Sequence, residues 1–472
     1  MKLTFRPRSH RPRSHLRSLA ALSVASLALS LGACAPVGGG GQESGGQASE
    51  GQDQAGGSAT SGTVTWWGWT PTDTATANGY IAAFNKEFPD IKVTFKLVSI
   101  PDWQAALTPA LRSDSGPDVF DMQPGSYVTK YGSFAQDMTP VITKALGDDW
   151  QSKVAPAGVS GLTDEDGKLT ALSVGAVYSG TLWINQGLFD KHNLKPPTTL
   201  DEWEKVCQEF KSHDQGCFVQ GAAGAGFDQD TLQSIANSVE PGFWTRASKG
   251  EAKWNEPAMV KTLDIWRQLF TRGIMQEGAV GYQQYPDANN DFLTGKYAMV
   301  MMGTWYTQYA TEKAMTAALK AAGVSGAKPF PIVPIQFPNV GGNTSEMFGD
   351  ADYGLAISTK AKNKGAAETF VTWMTTSTAG QQAVADQLND VPALKGIEPN
   401  FSEIKFVDPA VQEAKVKDLL AKVAPVTQPR FALLSQDVQD AIFQAATSVA
   451  TGKSTPEEAA NTLQKSAEAA AK

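Results

Sequence analysis

The sequence predicts an α/β protein. Segments with an apolar period of two alternate with segments of period 3.6, and the order strand–helix–strand–helix–strand between residues 64 and 120 is that of a layered domain with a largely parallel sheet. The 472 residues are 42% hydrophobic and 19% charged, enough for two or three domains and too apolar for a disordered chain.

Each element has a local reason. Val64-Thr65-Trp66-Trp67 reads as a short apolar strand that Gly68 turns. Ile81, Phe84 and Phe88 share one helical face, stopped at Pro89. Ile91, Val93, Phe95 and Leu97 alternate, as a strand does. A helix through Trp103, Leu107 and Leu111 follows, then the strand Asp118-Val119-Phe120. Residues 168–177 and 181–184 are two more strand-like runs, split at Tyr178-Ser179-Gly180. Thr199 and Glu202 form a capping box for a helix whose Leu200, Trp203, Cys207 and Phe210 lie on one face. Met259, Leu263, Trp266 and Phe270 mark another amphipathic helix. Val438, Ala441, Ile442, Ala445 and Val449 mark a third, ended by Gly452. Thr455-Pro456-Glu457-Glu458 opens the last helix with a cap and a proline at its first position.

The N-terminus stands apart. Lys2, Arg6, Arg8, Arg11, Arg13 and Arg17 precede an apolar run from Leu19 to Leu31, and no acidic residue occurs before Glu43. A run of roughly 13 residues is shorter than the 20 or so that span a bilayer, so residues 1–33 read as a secretion signal. The run ends in Leu31-Gly32-Ala33-Cys34, which resembles the bacterial lipobox and implies lipidation of Cys34. Residues 34–61 hold Val37 as their one branched apolar side chain and should form a tether of roughly 30 Å root-mean-square length. No later stretch is apolar enough to cross a membrane. The expected product is exported and held on the outer face of the cell membrane. With Cys34 lipidated, Cys207 and Cys217 remain, and an exported chain allows them to form a disulfide.

Composition excludes several functions. Loss of the signal leaves 34 basic against 48 acidic residues, a net charge of −14, so nucleic acid is not an expected partner. Four His and three Cys argue against zinc clusters, haem and a disulfide scaffold, and no metal or cofactor is expected. Gly-x-Ser-x-Gly is absent. The P-loop-like run 161–168 has Asp166 where Gly is needed, and Gly221, Gly224 and Gly226 lack dinucleotide spacing. Asp164, Glu165 and Asp166 have no downstream Glu to complete a calcium loop, and Asp166-Gly167 reads as a hairpin turn. No catalytic residue is assigned.

The most specific stretch is Phe292-Leu-Thr-Gly295-Lys296-Tyr-Ala298-Met299-Val-Met-Met-Gly303-Thr-Trp305. It resembles the Gly-Lys-x-Ala-Met…Gly-x-Trp signature of the maltose-binding protein family, the extracellular solute-binding proteins of sugar ABC importers. Further matches follow in family order. They are the Trp66-Trp67 strand, Pro117-Asp118-Val119-Phe120, Leu182-Trp183-Ile184-Asn185, Ala367 to Met374 with Gln381-Gln382, and Gly452 to Ala459. The resemblance covers about 62–472.

It implies a type II periplasmic-binding-protein-like fold: two discontinuous α/β lobes, 62–177 plus 346–396 and 178–345 plus 397–472, joined by a hinge with the ligand in the cleft between them. It also implies where the ligand contacts lie. Indole faces stack on the C–H faces of a pyranose, and planar polar side chains pair with adjacent hydroxyls. The positions that match the family's site are Trp67, Trp69, Thr70 and Asp73 after the first strand, Asp121 and Gln123 after the next, and Tyr178 at the hinge. Glu240, Phe243, Trp244, Trp305, Asp350 and Arg430 complete the set. Trp66 is assigned to the core, with Trp103, Trp150, Trp203, Trp254, Trp266 and Trp373. Gly68 and Tyr178 depart from the family's usual polar and acidic residues, which weakens any inference to maltose itself.

The resulting expectation is a monomeric, lipid-anchored binding protein for a mono- or oligosaccharide that works with membrane permease subunits. Two other readings stand beside it: a binding protein for a peptide, polyamine or osmolyte, and a secreted glycan-processing enzyme using a pair such as Asp350 and Asp352.

Overall fold

The computed structural model describes residues 58–471 apart from 72, 73, 160, 225 and 325. The signal, Cys34 and most of the tether lie outside the described residues, as does Asp73.

Ten strands form two sheets. They are β1 (Gly62–Gly68), β2 (Ile91–Leu97), β3 (Val119–Met122), β4 (Leu172–Ser179), β5 (Thr181–Asn185), β6 (Gly216–Val219), β7 (Tyr297–Met301), β8 (Ile332–Gln336), β9 (Phe348–Ile357) and β10 (Val391–Pro392). The first sheet has the order β10-β4-β9-β3-β1-β2 and the second β6-β7-β5-β8. The sheets are mixed rather than largely parallel. β1 pairs in parallel with β2 and β3, but β9 runs antiparallel to both β3 and β4. In the second sheet only β6 and β7 are parallel. The cause is topological: β4 and β9 lead directly to and from the other sheet instead of returning through a helix.

Trp66 projects from β1 into the core of the first sheet, against Phe95 and Phe370 at 4.4 and 5.7 Å between ring centroids. The helices Thr74–Phe84, Ile100–Arg112 and Lys364–Thr376 bury the faces their periodicity marks, with Phe84, Trp103 and Phe370 fully buried. The second sheet is covered by Leu200–Ser212, Phe227–Val239, Pro257–Thr271 and the C-terminal pair Gln436–Ala450 and Pro456–Ala470. The seven tryptophans assigned to the core, Trp66 among them, are all buried.

Caps follow the sequence closely. Thr455 and Glu458 make a reciprocal capping box. Thr199 accepts the Glu202 N–H, but the Glu202 carboxylate turns to Thr198 instead, leaving that box half formed. Cys207, on the Leu200–Ser212 helix, is disulfide-bonded to Cys217 at the edge strand β6. A soluble form beginning after Cys34 is expected to show no reactive thiol when denatured, and two after reduction. Two thiols before reduction would contradict the bridge.

The chain passes from the first sheet to the second between Ser179 and Thr181 and returns between β8 and β9. Beside this crossing runs segment 424–430, whose Gln428 carbonyl accepts the Gly349 N–H at 2.8 Å. Polar side chains of the Phe227–Val239 helix grip both strands of chain: Gln229 and Gln233 donate to the carbonyls of Arg430 and Pro429 in this segment, and Asn237 to that of Glu346 just before β9.

Candidate functional site

The parallel strands β1 and β3 end at the same edge of the first sheet, and one carboxylate organises that edge. Asp121 accepts Trp66 Nε1–H at 2.8 Å and the Trp69 and Thr70 backbone N–H groups at 2.9 and 3.2 Å. Gly68 makes this possible, since a Cβ there would overlap the Asp121 carboxylate. Burial pushes Asp121 well above the usual carboxylate range, against the pull of those donors. Expected as a ligand contact, Asp121 instead holds the corner that carries Trp69. The Trp69 ring sits edge-on to Trp103, Tyr127 and Tyr353.

The facing wall belongs to the second sheet and segment 424–430. Trp305 follows β7 through Gly303, where a Cβ would collide with the Trp305 ring and the Tyr178 carbonyl. The half-buried indole donates to the Tyr285 hydroxyl at 3.1 Å and lies near Phe227. Arg430 stacks its guanidinium over Trp305 at 4.8 Å and over Phe431 at 4.2 Å. Its Nε and Nη2 bind the two Asp230 oxygens, both at 2.7 Å. Burial pushes the Asp230 carboxyl up and the guanidinium opposes it. From β9, Asp350 Oδ2 accepts the backbone N–H groups of Arg430, Phe431 and Ala432 at 3.0, 2.5 and 2.8 Å. Arg430 is therefore tied to the first sheet by its backbone and to the second by its side chain.

Two further carboxyls lie between these walls. Asp352 on β9 and Asp390 before β10 are hydrogen-bond neighbours. Asn389 donates to Asp390 Oδ2 at 2.9 Å, and no donor reaches its buried Oδ1. Burial raises both carboxyls above their usual range, and at Asp390 the neighbouring Asp352 charge adds to the effect.

The structure thus groups Trp69, Thr70, Asp121, Trp305, Asp350 and Arg430. It takes four expected residues, Trp67, Glu240, Phe243 and Trp244, away from this group, while Tyr178 stays at the hinge beside Gly303 and Thr304. Trp67 lies on the opposite face of β1 from Trp66, half-buried under the Lys96 ammonium at 3.4 Å, because strand side chains alternate. Phe243 and Trp244 are fully buried against Trp254, their large apolar surface completing the core of the second sheet. Glu240 is exposed and paired with Arg246. Tyr178 is 97% hidden in a small cluster with Ala176 and Val423, its hydroxyl pushed up to about 12 by burial and by Asp350. Gln123 is half-buried just beyond β3.

Asp230, Tyr285, Asp390 and Phe227 join the site without having been anticipated. The signal for the first was present. The Phe227–Val239 helix carries Asp228, Gln229, Asp230, Gln233 and Asn237, all buried, and so polar a helix has no solvent-facing explanation. Asp228 is raised to about 7 by burial. A carboxyl raised in the folded state binds more protons than its unfolded counterpart, so its contribution to stability falls as pH rises from about 4 to about 7 and levels above. Urea unfolding of wild type and Asp228→Asn at pH 5 and 8 is expected to show wild type losing stability relative to the variant at pH 8. An unchanged difference would contradict the assignment.

Among the described residues no helix is long and apolar enough to cross a membrane, and no group of three or more metal-ligating side chains occurs.

Two sheets bridged by short strands, with aromatic and carboxylate groups facing each other between them, define a type II periplasmic binding protein fold. The model of the bacterial extracellular solute-binding protein family matches residues 68–381, and the chain belongs to that family. Its members are binding proteins rather than enzymes. An uncharacterized ABC transporter extracellular-binding protein of Pyrococcus horikoshii is 26% identical over 235 residues, 48% of this chain and 53% of that protein. The multiple sugar-binding protein of Streptococcus mutans is 27% identical over 335 residues, 68% of this chain and 73% of that one. The chain thus spans about half the length of the first relative and nearly three quarters of the second. A solved chitin oligosaccharide binding protein superposes with a TM-score of 0.67 at 21% identity, over 87% of this chain and 100% of that one.

Proposed function

We propose that this chain is the extracellular substrate-binding component of a carbohydrate ABC importer. The residues around the hinge divide it into lobes 62–177 plus 346–396 and 178–345 plus 397–472, which close on the ligand by rotation about the crossing strands. Lipidated Cys34 and the tether to residue 61 hold it at the outer face of the membrane, where the closed monomer meets the permease subunits.

The observation that carries the sugar reading is Trp305, a half-buried indole framed by Tyr285, Phe227 and Arg430 beside the Asp352–Asp390 pair. A flat aromatic face next to carboxyl groups suits a ring with C–H faces and hydroxyl edges. Relatives named for multiple sugars and for melibiose, raffinose and stachyose agree with it. One observation favours a second reading, a cationic solute. Arg430 Nε and Nη2 are bound to Asp230 and its charge acts on Asp352 through space, so among the described residues no cation is paired directly with Asp352 or Asp390.

A thermal-shift panel of sugars, peptides and amines, followed by titration calorimetry, separates the two. Stabilisation by neutral sugars is expected. Stabilisation by amines alone would overturn the carbohydrate assignment in favour of the second reading.

A further inference from the structure

A chain of side-chain hydrogen bonds joins the two halves of the site. Gln308 lies on the short 3-10 helix Thr304–Ala310, three residues after Trp305, so the two share one face of that helix. Its Nε2 donates one hydrogen to the Trp305 carbonyl at 3.0 Å and the other to Asn389 Oδ1 at 2.6 Å. Asn389 in turn donates from Nδ2 to Asp390 Oδ2 at 2.9 Å. The chain therefore runs from the residue that carries the stacking indole to the Asp390–Asp352 pair, and from an element beside the second sheet to one beside the first.

Both ends are held. The 3-10 helix is fixed at the hinge, where Thr304 Oγ1 accepts the Tyr178 N–H at 3.0 Å and the Gly303 carbonyl accepts Trp183 Nε1–H at 3.0 Å. Asn389 sits on the corner between the helix Thr378–Gln387 and β10. The preceding Leu388 takes a left-handed backbone with φ of 58°. Its side chain is buried in the apolar cluster of Tyr306, Tyr309 and Phe406. That backbone is strained for leucine and persists where the surroundings over-determine it. Here a knob from a corner of the first sheet is set into the packing of the second, and the next residue is left facing Gln308. Beyond the corner β10 pairs with β4, Val391 opposite Ala176, which fixes Asp390 against the hinge strand.

We infer that Gln308 and Asn389 are positioning residues: they set the distance and tilt of the Trp305 ring relative to the Asp352–Asp390 pair, so that one bound molecule is stacked and hydrogen-bonded at once. Without them the ligand itself would have to order the ring and the carboxyl groups, and that ordering is subtracted from affinity. Neither residue needs to touch the ligand. Gln308 has both amide hydrogens committed, and Asn389 is bonded at both ends of its amide. This role rests on the reading that Trp305 and the carboxyl pair hold the ligand, whether that ligand is a sugar or an amine.

The test is calorimetric titration of wild type, Gln308→Leu, Asn389→Leu and the double variant with maltotriose, raffinose, chitotriose and spermidine. With the compound that binds wild type best, each single variant is expected to lose about tenfold or more in affinity. The double variant should lie within about threefold of the weaker single one, because either change cuts the same chain. Losses that multiply, to about a hundredfold, would show two residues acting separately and overturn the inference. The Trp305→Ala background separates positioning from stability. There Gln308→Leu should cost less than about threefold, since no ring remains to be aligned, whereas a general loosening of the fold would cost the same with or without the indole. An undiminished loss in that background therefore also overturns the inference. Melting temperatures report folding, and Gln308→Glu at pH 8, which keeps the shape and removes both donors, serves if a leucine variant does not fold. Single variants that bind as wild type does overturn the inference and leave the reading of the site intact. Binding of none of the four compounds overturns both.

Discussion

Replacing Trp305 by Ala is expected to weaken sugar binding by at least about tenfold, or ~1.4 kcal/mol, without unfolding the protein. The indole is half-buried, its N–H is bonded to the Tyr285 hydroxyl, and the Arg430 guanidinium lies 4.8 Å from its ring. Its loss removes a rigid stacking face from a site with few other exposed aromatic surfaces. The buried core that carries the second sheet does not depend on it, since Trp183, Trp203, Trp244 and Trp266 are packed elsewhere. Titration calorimetry with the best sugar from the panel measures the effect, and a thermal melt controls for folding. Unchanged affinity would remove Trp305 from the site.

Arg430→Met should have a larger effect on stability, about 3–5 kcal/mol at pH 7, because it leaves the Asp230 carboxylate buried without its cation. The variant can recover only by protonating Asp230, whose burial already favours the neutral form. A group with a raised folded-state pKa loses stability as pH rises, so the deficit should shrink on going from pH 7 to 5. Asp230→Leu/Arg430→Met, which removes both charges, should lie much closer to wild type in stability than either single variant. Its ligand affinity should nonetheless fall, because the guanidinium no longer covers Trp305 and segment 424–430 loses its side-chain link to the second sheet. Urea unfolding of the four proteins at both pH values gives the cycle. Additive single effects would show that the pair does not act as a unit.

Much of the fold was legible from local pattern. The strand Ile91–Leu97 and the helices around Leu263 and Ile442 appear where the apolar periods place them. Backbone geometry imposes those periods whatever the tertiary context. Capping Thr455 was equally plain, because a cap needs only its own turn. The sheets were less legible. β9 and β4 read as ordinary strands, and nothing local shows that they run antiparallel through the middle of a sheet begun by parallel neighbours.

The candidate site divides in the same way. Trp305 and Arg430 stand in recognisable motifs, and the structure brings them to one place. Phe243 and Trp244 look the same in sequence, an aromatic pair near a carboxylate, and are core. Aromatic residues serve packing and stacking with one chemistry, so composition does not separate the two uses. Asp121 shows the converse: its position was foreseen and its role was not, because the donors that occupy it come from three residues more than fifty positions earlier.

By itself the sequence determined the α/β class, the helix and strand periods, the pairing of Cys207 with Cys217, and the family signature ending in Trp305. These depend on neighbours within a few turns, or on a pattern carried whole along the chain. Only the tertiary structure decided that Asp230 neutralises Arg430 from 200 residues away, that Asp352 meets Asp390, and that Asp350 holds the backbone of residues 430–432. Ion pairs and contacts between buried carboxyls arise from distances between separate elements, and those distances follow from how the two sheets are joined.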